Sequence, residues 1–212
     1  MRAVVVEAPG AIEALVIQNV PDPEPAPGQV LIEISYAGCN WADTQVRSGI
    51  YPHPVDFPVI PGFEISGTVI GLGEGVTSVK PGDRVTAIPS MGGYAQKCVV
   101  DEALVTKIPD EVGLDVAAAF PIQALTAYHM LYTVCNLKKD DVVLVHAAGG
   151  GVGLLVIQMA VHAGCRVIGT VGTPGKEIKA LEYGAERVIN LNKEDFVAVV
   201  RDMTDGRGVD LV

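Results

Sequence analysis

The sequence contains no run of basic residues. Lys and Arg number 15 against 25 Asp and Glu, a formal net charge of −10 over 212 residues. Nucleic-acid backbones and anionic membrane surfaces are held by clustered positive charge, so both are poor partners for this chain. Long apolar runs are missing too, and none approaches the ~18 residues of a membrane-spanning helix. Residues 3–6, the apolar stretch before Glu7, are too few for the core of a signal peptide. Cysteine is sparse, with Cys39, Cys98, Cys135 and Cys165 at wide, irregular intervals. That spacing matches neither a CxxC zinc or redox motif nor a dense disulfide framework. The expectation is a soluble cytoplasmic protein with no nucleic-acid or membrane partner.

What is present is apolar and rich in turns. Hydrophobic residues make up 49% and charged residues 19%, too apolar for disorder and enough for one large domain or two small ones. The 24 Gly and 14 Pro follow no period, which excludes collagen and points to tight turns. Over residues 1–115, β-branched or alternating runs (3–6, 30–35, 65–70, 84–88, 94–100) are separated by turns such as Ile60-Pro61-Gly62 and Pro81-Gly82-Asp83. This grammar predicts a compact antiparallel β-barrel with little helix. Gly71-Leu72-Gly73-Glu74-Gly75 is expected to be only a turn.

Residues 116–212 read differently. Helical stretches around 115–119 and 126–134 flank Pro121. Val142-Val143-Leu144-Val145 then has the uninterrupted apolar character of a strand buried on both faces of a parallel sheet. Val152, Leu155, Val156, Met159, Ala160 and Ala163 recur at the spacing of one helix face, and Gly164 ends that helix. Strand 166–170 is followed by a helix with Thr173 as N-cap, Pro174 as first residue and Gly184 as terminator. Strand 187–190, a helix presenting Phe196, Val199, Val200 and Met203, and a last strand at 209–212 complete the pattern. Such repeats predict a doubly wound parallel α/β sheet. About six strands are usual in that fold and four are discernible, so the 212 residues read as a fragment or truncated product. The expected domains are 1–115 and 116–212, the second incomplete.

Between the apolar strand and its helix lies His146-Ala147-Ala148-Gly149-Gly150-Gly151-Val152-Gly153. Against the dinucleotide fingerprint G-x-G-x-x-G it places Ala148, Gly150 and Gly153 at the three key positions. Gly150 leaves room for a pyrophosphate beside the backbone N–H groups at the helix N-terminus, and Gly153 lets the helix pack on the strand. The alternative is a merely structural βα turn. NAD sites carry a carboxylate about 20 residues on, but here the region reads Thr170-Val171-Gly172-Thr173-Pro174-Gly175-Lys176. Gly172 and Thr173 are small, and Lys176 offers positive charge to a 2′-phosphate, which favours NADPH over NADH. Taken alone, Lys176 also reads as an ordinary solvated helix lysine.

Several segments together are recognisable: residues 27–32 (Pro-Gly-Gln-Val-Leu-Ile), 81–85 (Pro-Gly-Asp-Arg-Val) and 147–153, with Asn40-Trp41-Ala42-Asp43, Arg47-Ser48-Gly49-Ile50-Tyr51 and Gln123-Ala124-Leu125-Thr126-Ala127. The chain resembles the medium-chain dehydrogenase/reductase superfamily, in particular its zinc-independent NADPH:quinone oxidoreductases of the zeta-crystallin type. The resemblance covers all 212 residues. It implies a GroES-like β-barrel domain followed by a partial Rossmann sheet, and a homodimer for the full-length protein. Zinc-dependent members hold catalytic metal with a Cys three residues before an Asp and a His in Gly-His-Glu. The matching positions here are Asn40 and Phe63, and neither supplies a ligand of the usual set. Residues 86–96 hold none of the cysteines of the structural zinc lobe.

The activity implied is hydride transfer from NADPH to a quinone or enone without metal. An enoyl thioester reductase and a non-catalytic NADPH-binding protein are the alternatives. Tyr51 matches the proton donor of related enoyl thioester reductases; otherwise it is a surface tyrosine packed on Pro52 and Pro54. Asn40 matches a polar residue near the nicotinamide, or is a turn former. Thr126 matches a residue near the carboxamide, or caps its helix. Gln45 stands where a cofactor-contacting Tyr is common, and Leu191 where an aromatic or His is. The cofactor set is therefore Asn40, Gln45, Thr126, Gly149, Gly150, Gly151, Val152, Gly153, Gly172, Thr173 and Lys176. Asp43 and Arg47 are expected to form a structural pair, and His53, His129, His146 and His162 to have no ligand role.

Overall fold

A computed structural model describes residues 1–212, which divide into two compact units, Met1–Ile122 and Gln123–Val212. In the first, β1 (Arg2–Val5) and β2 (Val16–Asn19) pair antiparallel. Five more strands, β3 (Gln29–Ala37), β4 (Ile65–Leu72), β5 (Arg84–Ala87), β6 (Lys97–Asp101) and β7 (Val105–Lys107), form an antiparallel sheet in the order β6-β3-β4-β5-β7. Val30 and Ile32 of β3, Ile65 and Val69 of β4, and Val85 and Ala87 of β5 alternate into one core, as half-buried strands require. Gly67 is demanded by a close crossing: a Cβ there would lie 2.0 Å from the Glu33 carbonyl oxygen.

Helix is more prominent here than the sequence suggests. α1 (Trp41–Ser48) starts at Asn40 and ends at Gly49, whose φ of 73° suits glycine. α2 (Leu114–Ala118) packs on the sheet, where Thr86 donates its hydroxyl to Ala117 O at 2.8 Å and Ser66 donates to Leu114 O. These bonds carry the first unit past residue 115, to Ile122.

In the second unit, β8 (Val142–Val145), β9 (Arg166–Val171) and β10 (Arg187–Asn190) form a parallel sheet in the order β10-β9-β8. On the free side of β8, residues 209–212 make a single parallel bridge, Leu211 to Val143, rather than a full strand. α3 (Pro121–Tyr128) leads in from the first unit and continues as a π-helical turn, His129–Val134. α4 (Gly151–His162) and α5 (Glu177–Glu182) cover one face, where Val143, Val145, Val156, Ile157, Val167 and Ala180 share a core. α6 (Phe196–Met203) covers the other, with Val142, Leu144, Ile168, Ile189 and Val200. Both faces of β8 are thus buried, the physical reason for its unbroken apolar run. α5 begins at Glu177, not at Thr173, because Gly175 takes a φ of 88° and keeps the segment before it in a turn. No helix is long and apolar enough to cross a membrane.

Candidate active site

Two groups of side chains carry the expected site residues, one in each unit. In the first unit the N-terminus of α1 sets the geometry. The Asn40 backbone N–H donates to Asp43 Oδ2 at 2.7 Å, the return half of a capping box. The Asn40 side chain turns to Glu64, donating from Nδ2 to Oε1 at 2.7 Å. Glu64 is fully buried, and its other oxygen accepts the Ile122 N–H at 2.9 Å. Burial pushes the Glu64 carboxyl above its ordinary value, aided by the nearby Asp43 charge and opposed by the two hydrogen bonds. The chain passes so close that a Cβ on Gly38 would lie 2.4 Å from Glu64 Oε1.

Asp43 Oδ2 also accepts the Tyr94 hydroxyl at 2.8 Å. Burial, reinforced by Cys39 and Asp43, holds that phenol far above its usual range, so it stays a neutral donor. The expected Asp43–Arg47 pair does not form. Asp43 is committed to the α1 N-terminus and Tyr94, and Arg47 Nε is buried without a hydrogen-bond partner. Tyr51 follows the end of α1, half-buried in a cleft of about 270 Å³ with Val46, Gly49 and Phe57. Its ring packs on Phe63 at 5.4 Å and His53 at 5.7 Å. Pro52 and Pro54 line the same cleft. Gln45 lies half-buried on α1, its carbonyl accepting the Ile50 N–H.

In the second unit the glycine turn joins β8 to α4. Ala147 holds a left-handed φ of 51°, a conformation costing an L-residue roughly 1–2 kcal/mol. A Cβ on Gly153 would lie 2.5 Å from Ala147 O and 2.9 Å from Ala148 Cα, so glycine is what lets α4 sit on the strand end. Gly150 is the α4 N-cap, and the first helical bond runs from Leu154 N–H to Gly150 O at 2.9 Å. The N–H groups of Gly151, Val152 and Gly153 precede that bond and have no acceptor within the helix.

Gly149, Gly150, Gly172, Thr173 and Lys176 come together with Ala147 and Val171 around a cleft of about 180 Å³. Lys176 is its only charged lining residue. A Cβ on Gly149 would meet both Lys176 Cβ and Lys176 O at 2.6 Å, so the bare glycine seats the lysine against the turn. Asn192, to which the sequence offered no pointer, donates from Nδ2 to Gly172 O at 2.6 Å and ties down the loop after β9. Gly151, Val152 and Gly153 line instead a larger, mainly apolar cleft of about 510 Å³ with Val143–Val145 and Leu211; Gly150 borders both clefts. Thr126 is exposed on the second turn of α3. His146 Nδ1 lies 2.9 Å from Thr170 Oγ1, and its ring packs edge-on against Phe196.

Glu64 is the residue that sequence reasoning missed as a partner of Asn40. Its only signal was a carboxylate standing immediately before the β4 run that starts at Ile65.

Comparison with known proteins places these features in a family. Residues 26–110 match the alcohol dehydrogenase GroES-like domain, and residues 151–212 match the zinc-binding dehydrogenase domain. A probable quinone oxidoreductase of Schizosaccharomyces pombe is 40% identical over 95% of this chain and 60% of its own length. A 2-haloacrylate reductase of a Burkholderia species is 37% identical over 100% of this chain and 65% of its own. The crystal structure of Escherichia coli quinone oxidoreductase complexed with NADPH superposes with a TM-score of 0.93 at 35% identity, covering 99% of this chain and 64% of that one. The chain therefore spans less than two thirds of the length of these relatives. An antiparallel GroES-like unit followed by a Rossmann-like parallel sheet, matched along nearly its whole length, makes this chain a member of the medium-chain dehydrogenase/reductase superfamily.

Proposed function

We propose that the full-length protein is an NADPH-dependent, zinc-free reductase of quinones and α,β-unsaturated carbonyls. The observation that carries this reading is the cleft at the N-terminus of α4, where Gly149, Gly150, Gly172, Thr173 and Lys176 meet with no carboxylate among them. The donor set fits a dinucleotide phosphate. Three backbone N–H groups precede the first helical bond, Gly150 leaves the turn uncovered, and the Lys176 ammonium suits a 2′-phosphate where a carboxylate would repel one.

When bound, NADPH supplies a hydride, and a proton completes the two-electron reduction. Asn40 is assigned to the nicotinamide side, with Gln45 and Thr126 as further cofactor contacts. Tyr51 is assigned as proton donor from its Oη, its ring steadied by Phe63. Phe63 and Asn40 occupy the positions where zinc-dependent members of the family carry His and Cys, so this donor set does not hold a Lewis acid and alcohol oxidation is disfavoured. The relatives named quinone oxidoreductase and 2-haloacrylate reductase support an electron-poor acceptor. The four cysteines, all free, suit the reducing cytoplasm, and a homodimer is the assembly we propose for the full-length protein.

NADPH oxidation by the full-length protein, followed with 1,2-naphthoquinone, methyl vinyl ketone and crotonyl-CoA, tests the reading. Turnover of the quinone or enone supports it. Preference for crotonyl-CoA would make the protein an enoyl thioester reductase. Intact NADPH binding without turnover of any acceptor would make it a binding protein.

A further inference from the structure

We propose that Glu64 is a positioning residue for Asn40, a fully buried carboxylate that fixes the orientation of the Asn40 amide and joins it to the first turn of α3. The inference rests on the assignment of Asn40 to the cofactor. An ionised carboxylate only accepts hydrogen bonds, so the Glu64–Asn40 contact at 2.7 Å forces Nδ2, not Oδ1, to face the buried side. The second Glu64 oxygen is used at the same time by the Ile122 N–H at 2.9 Å, so the carboxylate cannot swing away from either partner without breaking one of its two contacts. Gly38 lets the chain leading to Asn40 lie directly over this group, with space that any Cβ would fill. Asp43 on α1 is the charged neighbour, itself held by Tyr94 and the Asn40 N–H. Asn40 is thus gripped at its backbone by one carboxylate and at its side chain by another.

Glutamine has the shape of glutamate but one acceptor oxygen instead of two. In Glu64→Gln, either the Asn40 amide rotates by half a turn or the Ile122 N–H faces another donor. Misplacing a group that aligns the reacting centre is expected to lower kcat about tenfold or more. The NADPH dissociation constant, set mainly by the phosphate cleft of the other unit, should change much less.

A double-mutant cycle on the full-length protein separates positioning from a merely structural role. If Glu64 acts through Asn40, Glu64→Gln lowers kcat in the wild-type background and adds little to Asn40→Ala. An equal fall in both backgrounds would overturn the proposal, as would a kcat unchanged by Glu64→Gln. The second measurement needs no turnover. The Asn40 side-chain NH2 signals in the 15N NMR spectrum of the unliganded protein, identified by their loss in Asn40→Asp, should shift as Glu64 titrates above the ordinary glutamate range. That shift should vanish in Glu64→Gln. Signals that do not respond to acid in the wild type would overturn the proposal even if the variant fails to fold. If the wild type neither binds nor oxidises NADPH, the functional reading fails while the NMR result still decides the Glu64–Asn40 link.

Discussion

At Glu64 burial and hydrogen bonding act in opposite directions, and burial wins: the folded carboxyl titrates above 4.5, its ordinary value. The folded protein then holds this proton more tightly than the unfolded chain does. Between the ordinary and the raised value, stability falls as pH rises, because ionising the buried group costs more than ionising it in water. Glu64→Gln removes that dependence. Its melting temperature relative to wild type should therefore improve as pH rises through and above the ordinary glutamate value of 4.5. A difference constant across that range, measured by calorimetry, would count against a raised Glu64. Two further substitutions separate chemistry from binding. Tyr51→Phe should lower turnover of the preferred acceptor by about 100-fold, the range of a positioned proton donor, and leave NADPH affinity alone. Lys176→Ala should cut the preference for NADPH over NADH about tenfold, or roughly 1.4 kcal/mol, read as the ratio of kcat/KM values. Tyr51 and Lys176 were singled out in the sequence because each sits inside a local motif. The Glu64–Asn40–Ile122 contact was not, since it unites positions 24 and 58 residues apart.

Among the elements, the strongest periodic ones were found and the short or exposed ones were not. β8, α4 and α6 have unbroken or helical apolar spacing and stand where that spacing placed them. β2 is largely exposed and β7 has three residues, so neither shows alternation. α1 is different, because its signals were present. Asn40 with Asp43 three residues on is a capping pattern, and Gly49 is a suitable terminator; eight residues without an apolar stripe simply carry little weight beside a β-rich context. The glycine turn makes a prediction at this scale. Gly153→Ala drives a methyl into the Ala147 carbonyl and should cost about 1–3 kcal/mol by overpacking, together with NADPH binding. Gly172→Ala meets nothing within 4 Å and should stay within about 0.5 kcal/mol of wild type. Urea denaturation of the two variants checks the contrast.

Across the whole molecule the apolar side chains gather into separate cores, one centred on Val30, Ile32 and Ile65 and others on the two faces of the parallel sheet. Ile32→Ala and Ile157→Ala remove fully buried side chains from different cores, and each should cost about 2–5 kcal/mol. Hydrogen exchange should show faster opening of β3, β4 and β6 in the first variant and of β8 and β9 in the second. Exchange that quickens equally in both units for either substitution would refute the independence of the cores. The expected boundary at 115 lay short of the one at Ile122 because the bonds from Thr86 and Ser66 that hold α2 are long-range and leave no local mark.

By itself the sequence determined what local physics can encode: two structural grammars, the buried strand and its glycine turn, and the missing carboxylate at the NAD position. Each depends on spacing within about 20 residues, where chain geometry alone sets what can meet. Only the tertiary structure decided which side chains share a proton, a charge or a cleft. Glu64 became the partner of Asn40, Asp43 that of Tyr94 instead of Arg47, and Lys176 a wall of the cleft beside the glycine turn through the space left by Gly149. Those outcomes follow from burial and close approach between distant segments, which a pattern read along one chain does not contain.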